Sequence, residues 1–215
     1  MTYPDFSHET ELWKRGYVVI GIDEVGRGAF AGPLFVGGVV FSPTMNDERI
    51  TYLLSLGIND SKKLSANRRK LLSKVIQKES LAYHIGAINV AQINRIGVGK
   101  ATFHAMRDVV RNLLLKVGGA KTFVLVDGFY VKYIKNIGLK NQRGIVHGDG
   151  ISLSIAAASV IAKVARDEHM INLSAKHPQY HFDKNKGYGT LFHRNALIVH
   201  GPTRLHRRDF IENFI

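Results

Sequence analysis

The sequence predicts an α/β fold, a central mixed β-sheet flanked by helices, on three observations. Short apolar runs recur, bounded by glycines and acids, as buried strands are. Longer segments repeat their apolar positions with the helical period. The order is strands first, then alternating helix and strand, which places helices on a sheet. A chain of 215 residues supports one sizeable core. It reads as a single domain over 1–215, with about 175–215 as a small C-terminal helical extension. There is no internal repeat, low-complexity tract or Pro/Gly/Ser-rich linker.

Residues 18–22 are an apolar run, read as a buried strand that ends at Asp23-Glu24. A glycine-rich turn leads to a second strand over 35–41, and the two are expected to pair antiparallel. Asn59-Asp-Ser-Lys-Lys63 is a polar loop. Ser65 is positioned to cap a helix over 66–78, with Leu71, Leu72, Val75 and Ile76 on one face. Residues 81–88 read as a third strand, and a short helix starts near Val90. A longer helix over 100–117 presents Phe103, Met106, Val109, Val110, Leu113, Leu114 and Val117, and Gly118-Gly119 stops it. Residues 123–126 are a strand ending at Asp127-Gly128. Residues 145–146 are a short strand before Gly148-Asp149-Gly150, and 151–173 is a helix. The remainder, rich in His, Arg, Lys and aromatics, holds one or two helices.

The net charge is +13, which points to a polyanionic partner, nucleic acid foremost. The absence of cysteine excludes disulfides, zinc–thiolate sites, iron–sulfur clusters and thiol nucleophiles. No apolar run approaches the roughly 20 residues of a membrane span. The N-terminal segment is neither a signal nor a transit peptide, so a cytosolic location is expected. A monomer is the default expectation.

Three strand ends carry acids: Asp23 and Glu24, then Asp127, then Asp149. Sites in α/β sheets gather beyond the carboxyl ends of strands. Each acid alone reads most simply as a turn cap. Four of them in a basic chain read better as a catalytic metal site, because gathered carboxylates repel unless a cation compensates. Oxygen ligands suit Mg²⁺ or Mn²⁺. Two such ions hold the attacking water and the leaving oxygen of a phosphodiester. Asp23 is the natural bridge, flanked by Glu24 and Asp127, with Asp149 completing the second site.

Other residues are positioned to hold the polymer. Gly26-Arg27-Gly28 follows the acid pair, and its glycines let the backbone approach a ligand closely. Lys62-Lys63 is a candidate phosphate clamp, and Lys163 and Arg166 are three apart on the helix after Asp149. Tyr188, in Lys186-Gly-Tyr-Gly-Thr190, is placed to stack on a sugar or base. By spacing alone the simpler reading is a buried anchor. His200 to Arg208 adds basic surface. Gly99-Lys100 is not a P-loop, since Asn94 and Ala101 replace its first glycine and its Ser/Thr. No Gly-x-Ser-x-Gly is present, and His177 and His181 flank Pro178 and read as non-ligands.

Together these blocks resemble the ribonuclease HII family. The matching segments are Gly21-Ile-Asp-Glu-Val-Gly-Arg-Gly28 with Ala31-Gly-Pro33, Asn59-Asp-Ser-Lys-Lys-Leu64, Asp127-Gly128 and Gly148-Asp149. Ser154-Ile-Ala-Ala-Ala-Ser-Val-Ile-Ala-Lys-Val-Ala-Arg-Asp167, Lys186-Gly-Tyr-Gly-Thr190 and His206-Arg-Arg208 follow in the family order. The resemblance implies an RNase H-like fold and Mg²⁺- or Mn²⁺-dependent hydrolysis leaving 5′-phosphate and 3′-hydroxyl ends. It implies that Asp23, Glu24, Asp127 and Asp149 are catalytic metal ligands. It also implies that Gly26-Arg27-Gly28 and Tyr188 sense a ribose 2′-hydroxyl, so that RNA–DNA hybrids and single ribonucleotides in duplex DNA are cut, as ribonucleotide removal and primer processing require.

Asn185 stands where the family commonly has His, and Gly150 where it has Ala or Ser. Ribonuclease HIII normally has Gly-Thr-Gly where this chain has Gly26-Arg27-Gly28, and carries an extra N-terminal domain for which the segment before the first strand is too short. No clear clamp-binding tail is evident. Residues 210–215 are apolar enough to dock on a partner, but are expected to pack on their own domain.

Overall fold

The computed structural model describes residues 3–212. Among them a five-stranded mixed sheet runs β3-β2-β1-β4-β5. The strands are β1 (Val18–Val25), β2 (Leu34–Val40), β3 (Ala82–Ile88), β4 (Thr122–Asp127) and β5 (Gln142–Ile145). β2 pairs antiparallel with β1 and β3, while β4 pairs parallel with β1 and β5. The helices are α1 (Ser7–Trp13), α2 (Asp47–Ser55), α3 (Ala66–Glu79), α4 (Val90–Ile96), α5 (Val98–Lys116), α6 (Leu153–Lys176), α7 (Phe182–Asn185), α8 (Leu191–His200) and α9 (Arg208–Ile211). No helix among the described residues is long and apolar enough to cross a membrane.

Residues alternate between the two faces of the sheet. Ile20, Ile22, Val36 and Val40 meet Met106, Val109, Val110 and Leu113 of α5. On the other face Val39 packs with the Ala156–Ala158 stretch of α6 and with Leu72 and Ile76 of α3. Each such large side chain, fully buried, contributes roughly 1.5–3 kcal/mol. Caps delimit the helices as their residue types dictate. Ser65 accepts from the Arg68 amide, Asn89 from Gln92 and Thr190 from His193. A separate C-terminal cluster of Tyr180, Phe182, Leu197 and Ile211 packs on Ala31 and Met170. Ile211 thus packs on its own chain as expected, while residues 213–215 lie outside the described residues.

Several sequence expectations change: the fifth strand is Gln142–Ile145 rather than 145–146, and the C-terminal part holds three helices rather than one or two among the described residues. β1 does not stop at Ile22, because β2 supplies a hydrogen-bonding partner for Asp23, Glu24 and Val25. The sequence reading gives no helix for α1 or α2: both are short, and each buries few side chains. Glu9 of α1 is buried at 0% exposure. Its Oε1 accepts from the Ser152 hydroxyl at 2.6 Å and the Ser154 amide at 2.9 Å, at the amino end of α6. An acid is well placed there, where unpaired amides and the helix dipole favour negative charge.

Candidate active site

The acid pair lies where β1 outruns its parallel neighbour. Ile22 faces Val126 of β4, whereas Asp23 and Glu24 pair with Gly37 and Val36 of β2. A gap opens beside β1 at the carboxyl end of the sheet, bordered by Asp127, the last residue of β4. Asp149 enters from a 3₁₀ turn, Gly148–Gly150, after β5. The Gly148 amide donates to Asp127 Oδ1 at 2.7 Å, which ties that turn to β4.

The floor is α6, drawn against the strands by two glycines. A Cβ on Gly21 would lie 2.4 Å from the Ser154 carbonyl carbon, and one on Gly37 would lie 2.2 Å from the Ala158 carbonyl oxygen. This close approach sets Ser159 against Asp23, with Ser61 Oγ 3.0 Å from Ser159 Oγ. The result is a cavity of about 480 Å³ lined by all four acids, Gly26-Arg27-Gly28, Ser61, Lys62, Ser159, Lys163 and Tyr188.

Burial raises the Asp23 carboxyl well above the ordinary carboxylate range, with Glu24, Asp127 and Asp149 adding to the shift and a Ser159 hydrogen bond opposing it. Burial also raises Glu24, against the attraction of Arg27. Burial and then the neighbouring Asp60 push Asp149 up to about 6. Adding a cation would reverse all three shifts. Glu24 Oε2 is buried without a hydrogen-bond partner. An uncompensated carboxylate oxygen facing other acids fits a metal ligand, and the donor set is all oxygen. The carboxylates border the cavity rather than closing on one point, and no ready-made cage of three such ligands exists among the described residues.

Not every expected polymer contact lies here. Lys62 lines the cavity, but Lys63 is exposed outside it. Lys163 is held by Asp167 Oδ1 at 2.6 Å, and Asp167 in turn pairs with Arg69 at 3.5 Å. Arg166 is a correction. It is 0% exposed, and its guanidinium donates to the carbonyls of Pro33 and Ala31, so it cannot meet a phosphate. Tyr188 is half-buried, with its ring 5.3 Å from the Arg166 guanidinium, and is not a core anchor. Asn185 donates to the Tyr180 carbonyl and accepts from the Gly187 amide, so it shapes the Tyr188 loop. The sequence reading missed Asp60, Ser61 and Ser159. They stood inside recognised blocks, but loop and helix residues of these types show no partner until folded.

A histidine pair supports Tyr188. The Thr203 amide donates to His206 Nδ1 at 2.9 Å, so His206 Nε2–H donates to His193 Nε2 at 3.1 Å. His193 Nδ1–H is left to donate to the Tyr188 carbonyl at 3.0 Å. Burial holds His206 down to about 4, with His193 adding to the shift. The folded state therefore binds fewer protons than the unfolded chain. This contribution to stability is intact above pH 6.5 and is lost as pH falls toward 4. The expected loss is about 3 kcal/mol. Melting temperatures between pH 4 and 7 should fall more steeply for the wild type than for His206→Gln, and equal slopes would refute it.

The sequence profile described as Ribonuclease HII matches residues 20–213. The chain belongs to the ribonuclease HII family. It is 41% identical over 211 residues to Ribonuclease HII of Caldicellulosiruptor bescii, covering 98% of this chain and 95% of the relative. It is 42% identical over 210 residues to Ribonuclease HII of Wolbachia pipientis subsp. Culex pipiens, covering 98% and 97%. Among solved structures, the PCNA:RNase HII complex from Archaeoglobus fulgidus matches with TM-score 0.69 and 25% identity, covering 88% of this chain and 93% of that chain. Bst-RNase HIII matches with TM-score 0.70 over 92% of this chain and 68% of that chain, at 19% identity. The sheet flanked by helices is thus an RNase H-like fold, and the chain is a ribonuclease H, an endonuclease and phosphodiester hydrolase.

Proposed function

We propose that the chain hydrolyses the RNA strand of RNA–DNA hybrids and cuts 5′ of single ribonucleotides in duplex DNA, leaving 5′-phosphate and 3′-hydroxyl ends. The observation that carries this reading is the shared cavity: four carboxylates, a glycine loop and a half-exposed tyrosine face one space. A divalent ion is further supported by a solved Bst-RNase HIII in complex with Mn²⁺. Two ions, Mg²⁺ or Mn²⁺, held by Asp23, Glu24, Asp127 and Asp149 would supply an activated water and offset charge on the leaving 3′-oxygen.

The chain's own residues do the rest. Asp23, the most buried of the four acids, would be the carboxylate shared between the ions. Lys62 and Lys163 line the same cavity and bring positive charge to the phosphates. The Gly26-Arg27-Gly28 backbone offers amides to a 2′-hydroxyl, and the Tyr188 ring packs on the sugar beside it. Such an activity serves ribonucleotide removal and primer processing on chromosomal DNA in the cytoplasm. A PCNA-like clamp partner, with the Archaeoglobus fulgidus complex as precedent, would use residues beyond Ile211, which is already buried.

The test is a DNA duplex holding one ribonucleotide, beside an all-DNA duplex and an RNA–DNA hybrid, with Mg²⁺ or Mn²⁺. Cleavage of the first and third alone is expected, and cutting of the all-DNA duplex, or of none, would sink the reading. Tyr188→Ala should lower cleavage at the single ribonucleotide about tenfold relative to the hybrid, in keeping with the loss of one stacking contact. An unchanged ratio would remove Tyr188 from substrate recognition.

A further inference from the structure

Two arginines are wholly buried beneath the glycine loop, Arg166 of α6 and Arg207 just ahead of α9, each 0% exposed. Their hydrogen bonds go to main-chain carbonyls of one short segment. Arg207 Nη1 donates to Gly26 O at 2.7 Å and Arg27 O at 2.9 Å, while its Nε and Nη2 donate to Gly32 O at 3.0 and 2.8 Å. Arg166 Nε donates to Pro33 O at 3.0 Å and Nη2 to Ala31 O at 3.3 Å. A planar fork of donors spans carbonyls that a single ammonium group cannot reach together.

Burying charge without a paired carboxylate is costly, and these two cations also repel each other. Burial, with Arg166 nearby, brings Arg207 down to about 9, so it remains charged at neutral pH. An apolar pair of similar volume would be the cheaper filling for a site that served packing alone. What the fork provides is direction. A trans peptide points its N–H opposite its C=O, so drawing Gly26 O and Arg27 O inward turns the Arg27 and Gly28 amides outward. Arg27 and Gly28 are exposed on the cavity wall. The tyrosine side is bound into the same unit: the Phe30 and Ala31 amides donate to Gly187 O, and the Tyr188 ring lies over Arg166. Gly26 has φ +91, and a Cβ there would lie 2.1 Å from Arg166 Nε, so the loop is shaped to admit this guanidinium.

We infer that Arg166 and Arg207 are positioning residues that hold the glycine loop and Tyr188 in register, and that this register sets how fast a single ribonucleotide is cut relative to an extended hybrid. The inference rests on the proposed function. A long hybrid presents a 2′-hydroxyl at every RNA residue, so a loosened loop still finds one. A single ribonucleotide presents one, which the loop must meet at a fixed distance from the acids.

The test uses the full chain with Arg207→Lys and Arg166→Lys, which keep the charge and lose the fork. Cleavage at the single ribonucleotide should fall about tenfold relative to the hybrid, as misplacement of a positioning element does. Hydrogen exchange should quicken at the amides of residues 29–32, which are bonded to Gly26, Gly187 and Leu205, while α5 stays as protected as in the wild type. Wild-type exchange and an unchanged ratio in a folded variant would overturn the inference, as would faster exchange with an unchanged ratio. Unfolding of both variants would also overturn it, since the arginines would then hold the whole molecule and not the loop. Should the wild type itself cut the all-DNA duplex, or none of the three substrates, the functional reading fails, and the exchange data still decide whether the arginines position the loop.

Discussion

Asp23→Asn is expected to abolish cleavage, by about 10³-fold or more, while raising the melting temperature of the protein measured without added metal. The two effects have one cause. Asp23 is 5% exposed, on a strand between β2 and β4 and against Ser159 of α6. Burial, together with Glu24, Asp127 and Asp149, disfavours its charged form. Asparagine has the same shape and no charge, so the fold loses a buried acid that its surroundings oppose. The proposed ligand set loses its shared carboxylate. Residues that serve a site at the expense of the fold behave in this way. Thermal unfolding in a chelator and single-turnover cleavage measure the two halves. Retained turnover would remove Asp23 from the bridging role, and a lower melting temperature would show that its carboxylate is needed by the fold.

Gly21→Ala should destabilise the protein by about 3 kcal/mol or more, because the clash is with main chain and cannot relax by a rotamer change. The added carbon would lie 2.4 Å from the Ser154 carbonyl carbon and 2.6 Å from the Ile155 nitrogen. Relief requires α6 to move off β1, which carries Ser159 away from Asp23 and disturbs the Glu9 contacts at Ser152 and Ser154. Cleavage should therefore fall with stability. Gly28→Ala is the contrast. Nothing lies within 4 Å of a Cβ there, so stability should change by no more than about 0.5 kcal/mol. Denaturant unfolding of both variants checks the pair. A Gly21→Ala protein as stable as the wild type would show that the strand and helix do not meet as tightly as described.

The sequence by itself determined the elements that rest on local pattern. Seven apolar positions at helical period between 103 and 117 marked α5, and short apolar runs ending in acids placed β1 and β4. It also determined the chemical inventory of the site, because carboxylates at strand ends in a basic, cysteine-free chain already imply cation and phosphate chemistry. What it left open follows from distance along the chain. Arg166 and Lys163 are three apart on one helix and looked alike, yet one is sealed under the glycine loop and the other lines the cavity. Only the placement of residues 26–33 over α6 separates them. Arg207 appeared as surface charge in a basic tail, because its carbonyl partners lie some 180 residues away. Glu9 looked like an ordinary solvated acid until α1 docked on the start of α6. A charged side chain is assigned to solvent, substrate or interior by the sum of distant surfaces that close around it. That sum exists only once β1, α6 and the C-terminal segment have come together around Asp23 and Glu24.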